Sequence, residues 1–154
     1  MVVPIVEVAL TVAAPPERVW SVLADVPGQP RWMRDLVRVE LEGDAPVGVG
    51  TRAVGTVRML GLTQRDPIEI VAFAAPRHFA IRHLGRFSGR GDIWLEPRRS
   101  SAATRLRWRE ELWSPLASLG APGRLADRGF GPIFAAVFRA DLRRLRSIVE
   151  SEAP

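Results

Sequence analysis

The chain has no cysteine, no tyrosine and no lysine among its 154 residues. The first absence removes disulfides, thiolate metal sites and cysteine nucleophiles together. The other two bear on charge. All 22 basic residues are arginine, set against 17 acids for a net charge of +5. With no side chain titrating between histidine and arginine, this small excess drives the isoelectric point to about 11.3. Arginine in place of lysine throughout suggests a GC-rich coding bias, and basic balance alone is weak evidence for a nucleic-acid partner. None is expected.

Long hydrophobic runs are missing too. No apolar stretch approaches the ~20 residues of a membrane span. The opening MVVPIVEVAL lacks the charged start of a signal peptide, so a cytoplasmic location is expected. Catalytic signatures are equally sparse: the chain has no HExxH, EF-hand loop, GxSxG elbow or P-loop, and Gly89-Arg90-Gly91 lacks the further glycine of a dinucleotide fingerprint. The two histidines, His78 and His83, fall at opposite parity in one strand and cannot share a metal from one face. No metal and no cofactor are expected. Hydrophobic residues at 47% and charged residues at 25% match a folded domain rather than a disordered chain. The length suits one domain over residues 1–154, large enough for a core with a hole in it.

Val3, Ile5, Val6, Val8, Leu10 and Val12 form a β-prone opening run that Ala14-Pro15-Pro16 stops. The prolines suit a first helical turn, and Val19, Trp20, Val22 and Leu23 continue with helical spacing to Asp25, before Pro27-Gly28 breaks it. Pro30 to Asp35 reads as a second short helix or turn. The period then becomes two: Val37, Val39 and Leu41 alternate with Arg38, Glu40 and Glu42. Five more strands follow at hairpin spacing, over Thr51–Leu60, Thr63–Phe73, Arg77–Leu84, Phe87–Glu96 and Ala103–Trp113. Ser100-Ser101 falls in the last of the intervening turns. Ser114-Pro115 starts a helical stretch, Gly120-Ala121-Pro122-Gly123 interrupts it, and a long helix runs from about Arg124 or Gly131 to Glu150. The expected class is α+β with a single antiparallel sheet.

Certain strings resemble a known family. Pro16-Glu17-Arg18-Val19-Trp20-Ser21-Val22-Leu23-Ala24-Asp25, followed by Pro30-Arg31-Trp32, is similar to the N-terminal signature of the START-like (SRPBCC) superfamily, closest to its polyketide cyclase/dehydrase and lipid-transport group. Gly48-Val49-Gly50-Thr51-Arg52, Ala75-Pro76-Arg77, Leu95-Glu96-Pro97, Thr104-Arg105-Leu106-Arg107-Trp108 and Asp141-Leu142-Arg143-Arg144-Leu145 match later landmarks. The resemblance implies a helix-grip fold: a curved seven-stranded antiparallel sheet wrapped around the C-terminal helix, two short helices after the first strand, and an apolar internal cavity. It is poor evidence for activity, since carriers, cyclases and regulatory modules share the signature.

Alternation across each strand names the inner face. Ala53, Val57 and Met59, then Ile68 and Ile70, Phe79 and Ile81, Ile93 and Leu95, and Leu106, Trp108 and Leu112 point in. By the same parity so do His83, Glu110 and Asp66, although a bulge near Pro67 would turn Asp66 away. On the last helix Phe130, Phe134, Val137, Phe138, Leu145 and Ile148 share a face with Asp141 at its centre, while Arg139, Arg143, Arg146 and Glu150 lie opposite. A carboxylate in an apolar stripe must find a partner or a proton. The expected ligand-binding set is therefore Trp32, Val57, Met59, Ile70, Ile81, His83, Trp108, Glu110, Phe134, Val137, Phe138 and Asp141.

Each polar member also has a structural reading. His83 can be satisfied by a carbonyl, Glu110 by Arg52 or Arg58, and Asp141 by backbone or an arginine. Three functions remain. The first is a carrier whose partner is a hydrophobic small molecule such as a lipid, isoprenoid or polyketide-like compound. The second is a cyclase/aromatase-like enzyme with His83 or Glu110 as base and Asp141 as orienting acid, an analogy weakened by the lack of tyrosine. The third is an interaction surface made by Arg82, Arg105, Arg107 and Arg109, whose interleaved acids argue instead for cross-strand ion pairs.

Overall fold

The computed structural model describes residues 4–59, 61–99 and 102–152. Val3, Leu60 and the Ser100-Ser101 turn lie outside the described residues. Seven strands form one antiparallel sheet: β1 (Ile5–Val12), β2 (Leu36–Glu42), β3 (Arg52–Met59), β4 (Leu62–Ala74), β5 (His78–Leu84), β6 (Ser88–Pro97) and β7 (Thr104–Trp113), in the order β1-β7-β6-β5-β4-β3-β2. Strands β2 to β7 are a meander, whose hairpins make each strand the neighbour of the next. The first strand joins the far edge beside β7, so the chain between β1 and β2 must cross the sheet's open side. That crossing is α1 (Pro16–Leu23) and a 3-10 helix (Val26–Arg31). After β7 come a short 3-10 turn (Pro115–Leu119), α2 (Ala121–Gly129) and α3 (Gly131–Ser151). This is the helix-grip α+β fold, with α3 packed against β1 and α1.

The concave face of the sheet and the inner stripe of α3 supply the core. Leu106, Leu142, Leu145 and Val149 are fully buried there; burying such a side chain contributes roughly 1.5–3 kcal/mol. Leu142 and Val149 widen the stripe read from the sequence. Trp20 closes one end, edge-on to Phe73 at 5.1 Å. Glu150 is exposed as expected, yet its Oε1 accepts from the Ala13 amide at 2.8 Å, tying the end of α3 to the end of β1.

Three local readings change. The second short helix begins at Val26 rather than Pro30, because Pro27 fits its first turn and the Asp25 side chain accepts from the Gly28 amide. A Cβ on residue 28 would lie 2.1 Å from the Asp25 carboxylate and push that cap aside. Val37 is 47% exposed instead of inward, because the β2–β3 register shifts between Leu36 and Arg38. The long helix starts at Gly131 with Pro132 in its first turn, while Arg124 belongs to α2.

Candidate functional site

Between the sheet and α3 the core does not close. A hollow of about 420 Å³ remains, within the range of small-molecule sites. Strands β3, β4, β5 and β7 form its floor, Phe134 and Phe138 of α3 its roof, and Met33 and Leu36 one wall. Leu62, Leu116 and Ile133 line it while remaining 75%, 38% and 46% exposed, so it opens to solvent along an apolar rim.

One end of the hollow is polar. The His83 Nδ1 lies 2.8 Å from Asp66 Oδ2, and its Nε2 lies 2.7 Å from Glu110 Oε1. The Trp108 indole Nε1 donates to the other oxygen of Glu110 at 2.8 Å. Strand register explains the convergence. His83 sits opposite Ile68 on β4 and Gly89 on β6, while Gly91 lies opposite Glu110 on β7. Gly91 is needed: a Cβ there would stand 2.5 Å from Glu110 Oε2, in the space the carboxylate fills. The indole is held in turn by Phe138, stacked at 4.3 Å, and by Trp32, edge-on at 6.1 Å.

Burial opposes a charge on His83, but the hydrogen bonds from Asp66 and Glu110, helped by their negative charge, outweigh it and push its pKa up to about 10. His83 is therefore an imidazolium with both nitrogens engaged, and neither is free to take a proton from a guest. Its nitrogens point to different carboxylates, so the three side chains do not converge on one point. Among the described residues, no group of three or more acids and histidines could hold a metal ion.

Of the residues expected to line the cavity, Val57, Met59, Ile81, His83, Trp108, Glu110, Phe134 and Phe138 surround this hollow, and Trp32, Ile70, Val137 and Asp141 do not. Trp32 is 1% exposed and supports Trp108 from behind. Ile70 has the right parity but lies past the hollow's end, fully buried in the core. Val137 is turned aside from Phe134 and Phe138 and packs on the core. Asp141 is fully buried, and its Oδ1 accepts from the Arg34 amide at 3.1 Å. Burial raises its pKa to about 6, and the charge of Asp35 adds to that against the Arg34 amide and the Arg34 and Arg144 charges. Asp141 thus pins the segment before β2 onto α3, the structural reading.

Glu110 does not meet an arginine: Arg52 lies 3.7 Å from Glu69, and Arg58 donates to Thr63. Asp66 keeps its inward parity, because the β4–β5 register shifts between Ile70 and Ala72 rather than beside Pro67. Sequence reasoning missed Asp35, which lines the hollow from the segment before β2, where no period exists to orient it. Burial raises its pKa, with Glu110 adding to this against the backbone amides of Asp35 and Leu36. Phe87 was also missed, although counting back from Ile93 and Leu95 gives it their parity.

Residues 4–150 match the family model described as polyketide cyclase/dehydrase and lipid transport, and the chain belongs to that family. Solved structures share the fold. The protein TTHA0849 from Thermus thermophilus superposes with a TM-score of 0.77 at 20% identity, covering 98% of this chain and 100% of that one. A Zhui aromatase/cyclase from a Streptomyces species gives 0.73 at 22% identity, covering 95% and 93%. A START superfamily protein from Mycobacterium smegmatis gives 0.74 at 15% identity, covering 97% and 99%. No curated protein matches the sequence. Among the described residues, no helix is long and apolar enough to cross a membrane.

Proposed function

We propose that this protein binds and carries a hydrophobic small molecule, of lipid, isoprenoid or polyketide-like character, in the hollow between sheet and α3. The observation that carries this reading is the hollow itself: about 420 Å³ of space with an overwhelmingly apolar lining. Apolar surface left facing water costs roughly 25 cal/mol per Å², and a guest of matching shape recovers that energy. Val57, Met59, Ile81, Phe134 and Phe138 would hold its body, and the Asp66–His83–Glu110–Trp108 array would meet its head. A cytoplasmic location, and one domain spanning the chain, belong to the same proposal.

The cyclase-like alternative asks for a base. His83 has no free nitrogen, Glu110 accepts from both His83 and Trp108, and Asp141 lies outside the hollow. None of these three is placed for the acid–base role that alternative assigns to it, which favours binding.

The test is uptake of Nile red, a neutral dye that brightens in apolar surroundings. Wild-type protein should bind it saturably, and Ile81→Trp, which fills the hollow from β5, should lower its affinity by about tenfold or more while the protein stays folded. A folded wild-type protein that leaves the dye dark would overturn the proposal.

A further inference from the structure

The polar end of the hollow is one-sided in charge. Four lining residues titrate, and three of them, Asp35, Asp66 and Glu110, are acids. The fourth, His83, is already shared between Asp66 and Glu110. Although the chain carries 22 arginines, none is among the residues lining the hollow.

Hydrogen-bonding capacity is one-sided in the same sense. Trp108 Nε1 is spent on Glu110, the Ser114 hydroxyl on Asp127, and one N–H of Gln29 on the Leu23 carbonyl. Gln64 is the remaining polar side chain of the lining. Two acceptors, by contrast, are left over. Asp66 is 9% exposed, its Oδ2 is taken by His83, and its Oδ1 is buried without a partner. Asp35 Oδ1 is likewise buried and unpartnered. A buried acceptor without a donor is costly, and the deficit is relieved by a guest that brings N–H groups and positive charge.

Resting on the binding reading above, we infer that the hollow selects an apolar ligand headed by a protonated amine and discriminates against carboxylate- and phosphate-headed lipids. An ammonium head balances the excess of acid over imidazolium, and a turn of the Asp66 or Asp35 carboxylate brings its unpartnered oxygen, otherwise sealed from solvent, to an N–H of the guest. An alcohol head donates one hydrogen bond and balances no charge. A carboxylate head meets like charge in a poorly solvated site. The net charge of +5 works in the opposite direction, drawing anions to the surface at large. A preference for the amine therefore reports the hollow and not the bulk field.

The experiment displaces Nile red from the full chain with dodecylamine, dodecanol and dodecanoate at neutral pH, each below its micelle concentration. Dodecylamine should displace the dye at about tenfold lower concentration than dodecanol, equivalent to about 1.4 kcal/mol, and dodecanoate should be weakest. Asp35→Asn and Asp66→Asn should each shrink the ratio between amine and dodecanol displacement, whatever they do to the affinity for the dye itself. The wild-type series stands even if a variant fails to fold. Dye that never enters defeats the binding reading itself. Dye that enters but is displaced equally well by dodecanoate, or by dodecanol as readily as by the amine, defeats the head-group inference alone.

Discussion

The two histidines lie on one strand and face opposite ways, and their surroundings differ accordingly. His83, on the concave face, is enclosed by Asp66, Glu110 and the wall of the hollow. His78, on the convex face, lies flat against Trp94 at 5.2 Å, with its Nε2 2.7 Å from Asp92. Arg90 also reaches Asp92, at 2.8 Å, and the Arg107 guanidinium sits over the Trp94 ring, 4.2 Å from its centroid. Both clusters pair imidazole with carboxylate. On the convex side Asp92 is only 13% exposed, but its partners His78 and Arg90 are 26% and 48% exposed and both share it, so each partner is replaceable. On the concave side no arginine is at hand, and removing one partner leaves a buried charge. Identical residue types therefore do different work according to which face the pleat gives them. Three arginines of the outer face stand in such pairs, Arg109 with Glu111, Arg82 with Glu69 and Arg107 with Glu7.

The largest effect that should separate the two faces comes from neutralising one acid on each. Glu110→Gln is expected to cost about 3 kcal/mol in urea unfolding, since it strips one partner from a buried imidazolium. Asp92→Asn should cost about 1 kcal/mol or less. The pH dependence sharpens the contrast. The His83 pKa is raised in the folded protein, so its contribution is complete below 6.5 and is lost as pH climbs through about 10. The penalty of Glu110→Gln should shrink over that range. Equal penalties on the two faces would show that burial is not what distinguishes them.

A smaller effect is expected at Asp141, where burial favours the proton and not the charge. Its folded pKa of about 6 exceeds the ordinary 3.8, so the folded state holds the proton more tightly. Stability from this group is present below 3.8 and falls as pH rises through about 6, by about 2 kcal/mol between pH 4 and 7. Asp141→Asn keeps the acceptor for the Arg34 amide and should remove that slope, read as the difference in urea midpoint between pH 4 and 7. Smallest of all, Arg107→Ala should cost about 0.5–1 kcal/mol, the worth of an exposed cation–π contact.

The sheet was legible because a pleat alternates except where a bulge interrupts it. Once Phe79 and Ile81 were placed inside, His83 had to follow, and Leu106 and Trp108 did the same for Glu110. What sequence reasoning could not supply was register. Which carboxylates meet His83 depends on hairpin geometry and on a bulge lying at Ile70/Ala72, not beside Pro67. Depth along a strand was hidden in the same way, since Ile70 and Ile81 face each other and only Ile81 reaches the hollow. On α3 the apolar stripe was plain, but whether Asp141 faced the hollow or the loop before β2 depended on a contact 107 residues away in the chain. Asp35 had neither a strand nor a helix period to place it.

Native mass spectrometry of protein freshly purified without detergent tests the central claim most directly. The account predicts a fraction carrying an added small-molecule mass that is lost on denaturation, and an apo fraction that regains such a mass from a lipid extract. Folded protein that shows the bare chain mass before and after exposure to the extract would contradict it.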